Sequence, residues 1–356
     1  METSNYTLSK KNFSLEAAVI RFVASWLVII HHTIILVFTR AEVHPGYELV
    51  VTNILRAATL FAVPLFILLS GALHLGSNFS SGRHHSWKIA RLFLVYVCWT
   101  GFYLYFKKQF LGQNFSLSTV AQHILNGSGE YHLRFIPIIL GLYAATPLIK
   151  KIRLKYKMKG TILLLSVSLI YAVVIWTMND FFLAKSFEEY FGPLYFLRYL
   201  FLYIAGGIIW NFRKRYNKLF LVSLIVIHLS VVTIYSYFES LRLGYSTLFL
   251  YLDRYYAPHY IFTASVSFFL LLNFRYNWLS EKLIKNIILW NKQSETVYFL
   301  HPLCIYALSL LAMKYGIFLQ NVNIFLLFAL SLGVGVMSYY CSFLLQFCIM
   351  KIKLLI

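Results

Sequence analysis

Arg21 and His32 stand eleven positions apart in an otherwise apolar stretch, Arg21-Phe-Val-Ala-Ser-Trp-Leu-Val-Ile-Ile-His-His32. On a helix that spacing is about three turns, so both side chains leave one face about 16 Å apart along the axis. His31 points about 100° away from them. A neutral His32 can take a proton from a hydroxyl as a general base or attack a carbonyl as a nucleophile. Arg21 can bind negative charge, whether a developing oxyanion or an anionic substrate. The run that carries them, 17–38, is long enough to cross a bilayer, which takes about 20 apolar residues. Charged groups inside such a span are costly and are kept where they face a polar cavity. The spacing therefore predicts a membrane helix that lines a reactive cavity.

Further along, Arg56 precedes Pro64 by eight residues, and Val63-Pro-Leu-Phe continues to Ser70-Gly71. Pro64 predicts a kink with freed backbone groups. Ser70 and Gly71 fit either a substrate contact or close helix packing, which small residues allow in membranes. Arg83, Lys88 and Arg91 gather cations at a helix start, a place that suits phosphate; Arg83 and Lys88 fit a topology signal equally well. Glu130, His132 and Arg134 open another span, where a glutamate can orient a histidine and raise its basicity. Arg198 is one more cation within a span. His301, in Tyr298-Phe-Leu-His-Pro302, reads as a proton carrier, a substrate contact or a packing residue. His123, His228 and His259 are assigned structural or interfacial roles. Arg21, Arg56, Arg91, Arg134 and Arg198 have no matching carboxylates within spans, so an anionic substrate such as a phosphate-bearing acyl donor is the natural complement.

The elements that must position these residues are membrane helices. Hydrophobic residues make up 60 % of the 356 and charged residues 12 %, about half the charged share of a soluble domain. Ten spans are read at 17–38, 50–73, 88–106, 132–149, 160–178, 193–210, 219–237, 256–273, 296–313 and 322–349. With both termini inside, twenty of the 32 Lys and Arg residues fall in inner segments and seven in outer ones, as the positive-inside rule requires. That placement turns a net charge of +20 from a nucleic-acid signal into a topology signal. The four cysteines lack metal or redox spacing and read as buried free thiols. No cleavable signal peptide is apparent. The expectation is an all-α, polytopic membrane bundle of about ten transmembrane helices, one domain over 1–356, with 1–13 a cytoplasmic N-terminal segment and the bacterial plasma membrane as its location.

Six pieces occur in order: Arg21 to His32, Val63-Pro-Leu-Phe with Ser70-Gly71, Lys88-x-x-Arg91, Tyr131-His-Leu-Arg-Phe135, Thr146-Pro-Leu-Ile149 and Tyr298-x-x-His301-Pro302. Together they resemble the integral membrane acyltransferases of family three, which modify surface polysaccharides. Glu16 before Arg21, and Arg56 before Pro64, resemble the subgroup linked to succinylation of poly-N-acetylglucosamine. Two positions depart from the family pattern: Arg134 stands where many members have tryptophan, and Ala18 where an acidic residue is usual.

The resemblance implies that an acyl group passes from cytoplasmic acetyl-CoA or succinyl-CoA to a glycan hydroxyl at the outer face, without a metal and without nucleic acid. It matches Arg21 and His32 to the family's essential pair and Lys88 and Arg91 to its paired basic motif; those two and Arg83 are expected at the donor. Glu130 is grouped with the catalytic residues. Arg56, Ser70, His132, Arg134, Arg198 and His301 are expected at the substrate. Other membrane proteins of polysaccharide synthesis are expected partners. The alternative from another class is an exporter of polysaccharide or lipid-linked sugar. Exporters favour inverted repeats or paired broken helices, and the sequence shows neither. A sensor or scaffold would not need so many buried ions.

Overall fold

A computed structural model describes the backbone of residues 2–38, 55, 58–76, 82–177, 192–211, 218–243, 258–274, 276, 278–314 and 324–355. These residues form α1 (Glu2–Phe38), α2 (Ala62–Leu75), α3 (Gly82–Leu111), α4 (Leu117–Asn126), α5 (Phe135–Thr177), α6 (Leu200–Asn211), α7 (Lys218–Leu243), α8 (Pro258–Asn273), α9 (Glu281–Lys314) and α10 (Ile324–Leu355). Two 3-10 turns, Tyr131–Arg134 and Gly192–Tyr199, precede α5 and α6. There is no strand among the described residues. Among the described residues, six stretches are long and apolar enough to cross a membrane: Leu15–Ile35, Ala58–Leu75, His85–Phe110, Tyr131–Ile175, Glu281–Leu311 and Leu326–Phe347. Leu194–Trp210, Lys218–Val231 and Tyr260–Asn273 are apolar but shorter. The chain is thus an all-helical, multi-pass membrane protein.

Two expectations gain detail and one changes. Residues 2–13 are helical and continue into α1. The spans read at 132–149 and 160–178 are two helical stretches of α5 that meet at a kink at Lys157, whose φ is 52°. The six cations from Lys150 to Lys159 lie around that kink. Cys98 is exposed on α3 while Cys304 is buried and Cys341 half-buried; the Cys348 side chain lies outside the described residues.

The described residues fall into two compact units, Met1–Phe66 with Arg213–Ile356, and Ile67–Phe212. In the first, α1, α9 and α10 pack on one another, and α8 packs on α1 and α7. Tyr276, between α8 and α9, and Ile287, near the start of α9, are buried with Ala18 and Val19 of α1. Burial first, and the charge of Glu16 second, push the Tyr276 hydroxyl above the ordinary phenol range. In the second unit, α5 packs against the 3-10 turn at 192–199, α6 and α3. Here α2 and α6 approach to backbone contact. A Cβ on Gly71 would lie 1.8 Å from the Tyr203 carbonyl oxygen, and one on Gly206 would lie 2.0 Å from that of Leu68. Close packing therefore accounts for Gly71.

Pro64 acts as expected on the backbone. It cannot donate to the Leu60 carbonyl, and the helix is interrupted at Phe61, one residue beyond that carbonyl. Pro64 itself then lies in the first turn of α2, where a missing N–H costs little.

Candidate functional site

Within the first unit, α1 and α9 pair their polar residues level by level. Arg21 Nη1 donates to Asn291 Oδ1 at 2.9 Å. Further on, Ile29 and Val297 share one buried cluster. Beyond that, the rings of His32 and His301 stack with centroids 5.3 Å apart and planes 24° apart. Residue numbers rise together on both helices, so α1 and α9 run parallel here. Aromatic side chains fill the space between the two polar levels. Phe22 stacks on Trp290 at 5.3 Å, and Trp290 stacks on Tyr339 at 5.2 Å. Gly335 leaves room for the Trp26 ring, which a Cβ there would meet at 2.2 Å.

The histidine level is set by backbone chemistry. Pro302 has no N–H to give the carbonyl four residues before it, that of Tyr298. His301 Nδ1 takes that carbonyl instead, at 2.7 Å. A carbonyl only accepts, so Nδ1 carries the proton and a neutral His301 has its lone pair on Nε2. His31 is fixed by similar reasoning. Its Nδ1 lies 3.1 Å from Thr59 Oγ1, and the Thr59 hydroxyl proton goes to the Leu55 carbonyl at 2.9 Å. His31 Nδ1 is therefore the donor to Thr59. His31 is 3 % exposed and His301 0 %, whereas His32 is half-buried. Of the three imidazoles, His32 is the one open to a ligand, and its neighbours hold it from two sides, with the His31 ring 5.4 Å away.

The second unit repeats the proline device. Pro147 frees the carbonyl of Tyr143, and His85 Nε2 donates to it at 2.8 Å. His74 donates from Nδ1 to the Ser70 carbonyl at 2.9 Å and packs 4.4 Å from the Tyr143 ring and 6.0 Å from His85. Lys88 and Lys150 are within electrostatic reach of His74. Arg153 Nη1 donates to the carbonyl of Leu75, the last residue of α2, one of the orphan acceptors that every helix leaves at its C-terminus. Tyr203 and Thr146 share a hydroxyl hydrogen bond of 2.8 Å. Lys88 is half-buried and Arg91, one turn further along α3, is exposed. This unit therefore gathers His74 and His85 around Tyr143, with Lys88 and Lys150 near His74.

The remaining expected residues each have contacts of their own. Ser70 contributes its carbonyl to His74 and is half-buried. Glu130 is buried, pairs with Lys107 Nζ at 3.0 Å and caps the 3-10 turn through the Tyr131 N–H. Lys107 also donates to the Gly129 carbonyl at 2.8 Å. These contacts tie Glu130 into the second unit's framework. His132 is buried beside Tyr103, ring centroids 5.2 Å apart, and Arg134 is exposed. Arg198 is 3 % exposed, with its guanidinium 4.4 Å over the Tyr195 ring. Arg56 and the Arg83 side chain lie outside the described residues, as does the side chain of His259.

A family model described as an acyltransferase domain matches residues 16–345. The chain belongs to acyltransferase family three. The matched stretch takes in both polar clusters, including Arg21, His32, Lys88, Arg91 and His301. No curated protein and no solved structure matches the chain. For this family-three acyltransferase, sequence reasoning missed Asn291, Thr59, His74 and His85 as site neighbours. The prolines offered a signal for one of the four. Pro147 frees the carbonyl that His85 takes, just as Pro302 frees the one that His301 takes. Asn291 and Thr59 left no local trace, because their partners are 270 and 28 residues away.

Proposed function

We propose that this membrane acyltransferase moves an acetyl or succinyl group from cytoplasmic acyl-CoA to a hydroxyl of a cell-surface or exported polysaccharide, with His32 as general base. The observation that carries the reading is the half-buried imidazole of His32, held between two buried histidines of fixed tautomer, in a chain of the acyltransferase family. In the reaction, His32 takes the proton of the sugar hydroxyl as its oxygen attacks the thioester carbonyl. The carbonyl carbon–sulfur bond then breaks, and the CoA thiolate leaves and takes up a proton.

The unbroken helix between Arg21 and His32 separates their backbones by about 16 Å. Arg21 therefore does not reach the carbonyl that the sugar hydroxyl attacks beside His32, and its charge serves an anionic group of the substrate about three turns away. The long pantetheine arm that separates the thioester of acyl-CoA from its phosphates supports this division. Lys88 and Arg91 bind donor phosphate in the same reading, with the His74–His85 pair beside them. The excess of Lys and Arg in alternate segments supports ten crossings with both termini in the cytoplasm of a bacterial cell.

The test uses purified protein in detergent and measures saturable binding of acetyl-CoA and succinyl-CoA, with Arg91→Ala alongside. The reading predicts that one thioester binds and that the variant loses at least tenfold in affinity. Failure of wild type to bind either thioester would overturn the donor assignment and favour an exporter.

A further inference from the structure

The partner that α9 gives Arg21 is an amide. Asn291 Oδ1 accepts from Arg21 Nη1 at 2.9 Å, and the turn that carries Asn291 is itself secured, because Ser294 Oγ donates to the Asn291 carbonyl at 2.8 Å. On the other side, Ser25 Oγ donates to the Arg21 carbonyl at 2.8 Å. A guanidinium has five N–H donors in a planar fork. One good acceptor at one nitrogen fixes the plane of that fork. A carboxylate in the same place would orient the arginine as well, but it would add a negative charge beside the group meant to bind one. An amide oxygen orients the arginine and adds no charge.

We infer that Asn291 is a positioning residue for Arg21, holding the guanidinium in its substrate-binding orientation and keeping the contact neutral. This rests on the reading above, in which Arg21 binds an anionic group of the acyl donor. Asn291 does not touch the reacting atoms and acts through Arg21 alone. Phe22 and Trp290 stack at this level, and about three helical turns separate it from the histidine level. The separation predicts that changes at Asn291 act on donor binding more than on the chemical step.

The experiment compares Asn291→Ala and Asn291→Asp in the full-length protein, reading KM for the acyl-CoA donor and kcat separately. Aspartate is nearly isosteric with asparagine and accepts the same hydrogen bond, so a merely structural asparagine would tolerate it. The proposal predicts the opposite order. Alanine raises donor KM about tenfold by loosening the fork, aspartate raises it further by cancelling charge, and kcat changes less than KM in both. Aspartate with wild-type KM would overturn the proposal, as would a loss confined to kcat. A second measurement is independent of the assay: thermal stability of Arg21→Ala, Asn291→Ala and the double variant in detergent. A double variant no less stable than the weaker single one shows that the two side chains act as a pair. Full additivity overturns the pairing. Wild-type protein that transfers no acyl group would count against the proposed function alone, and the stability cycle would still decide whether Asn291 holds Arg21.

Discussion

The ring of His301 lies stacked on that of His32, 5.3 Å between centroids, and His301 is held there by a carbonyl that its own neighbour, Pro302, leaves open. One short segment, Tyr298 to Pro302, thus supplies the free acceptor, the donor that fills it and the break in the helical ladder that makes both necessary. His301→Phe keeps an aromatic ring against His32 but leaves the Tyr298 carbonyl without its side-chain donor, at a cost of about 1–3 kcal/mol. Adding Pro302→Ala supplies a backbone N–H to that carbonyl. The double variant is expected to melt above the single one while acyl transfer stays low, since the imidazole beside His32 is still missing. A melting comparison in detergent checks this; a double variant no more stable than the single one contradicts it.

The contact of α2 with α6 is set by the absence of side chains. Gly71→Ala places a methyl group 1.8 Å from the Tyr203 carbonyl oxygen, so the helices must part. Overpacking of this kind costs about 1–3 kcal/mol or more. Gly101→Ala, on α3 with no atom within 4 Å of the new methyl, is the control. Size-exclusion profiles after graded heating should show Gly71→Ala losing its monodisperse peak first and Gly101→Ala matching wild type.

Glu130 carries a buried charge and Lys107 answers it. Removing one member of such a pair strands the other, at about 3–5 kcal/mol. Lys107→Met is therefore expected to lower stability more than the paired change Lys107→Met with Glu130→Gln, which removes both charges. If Glu130 works in the framework, the paired variant recovers stability and transfer together. Recovered stability with transfer still abolished would return Glu130 to the reaction itself.

The sequence made the helical, membrane-bound class legible through composition, and the Arg21–His32 interval through the three-turn repeat of a single helix. Both are local properties. The partners were not legible. Asn291 meets Arg21 only because α9 runs parallel to α1, and no periodicity within either helix states that pairing. The basic run at Lys150–Lys159 marked the place where α5 breaks, at Lys157, but not how short the break is: solvated lysines tolerate a helix as readily as a loop. Glu130 read as an orienting carboxylate because it neighbours His132 in sequence. Its ion pair with Lys107, 23 positions earlier across the turn that precedes α5, left no local trace.

The central claim is that His32 removes the acceptor's proton in an acyl transfer. The direct measurement is steady-state transfer of acetyl or succinyl from its CoA thioester to an oligosaccharide acceptor by purified His32→Ala, with donor binding measured on the same sample. The account predicts wild-type donor affinity with kcat lowered about 10²–10⁴-fold, the range that general-base catalysis supplies. Full transfer by a variant that binds the donor normally would contradict it.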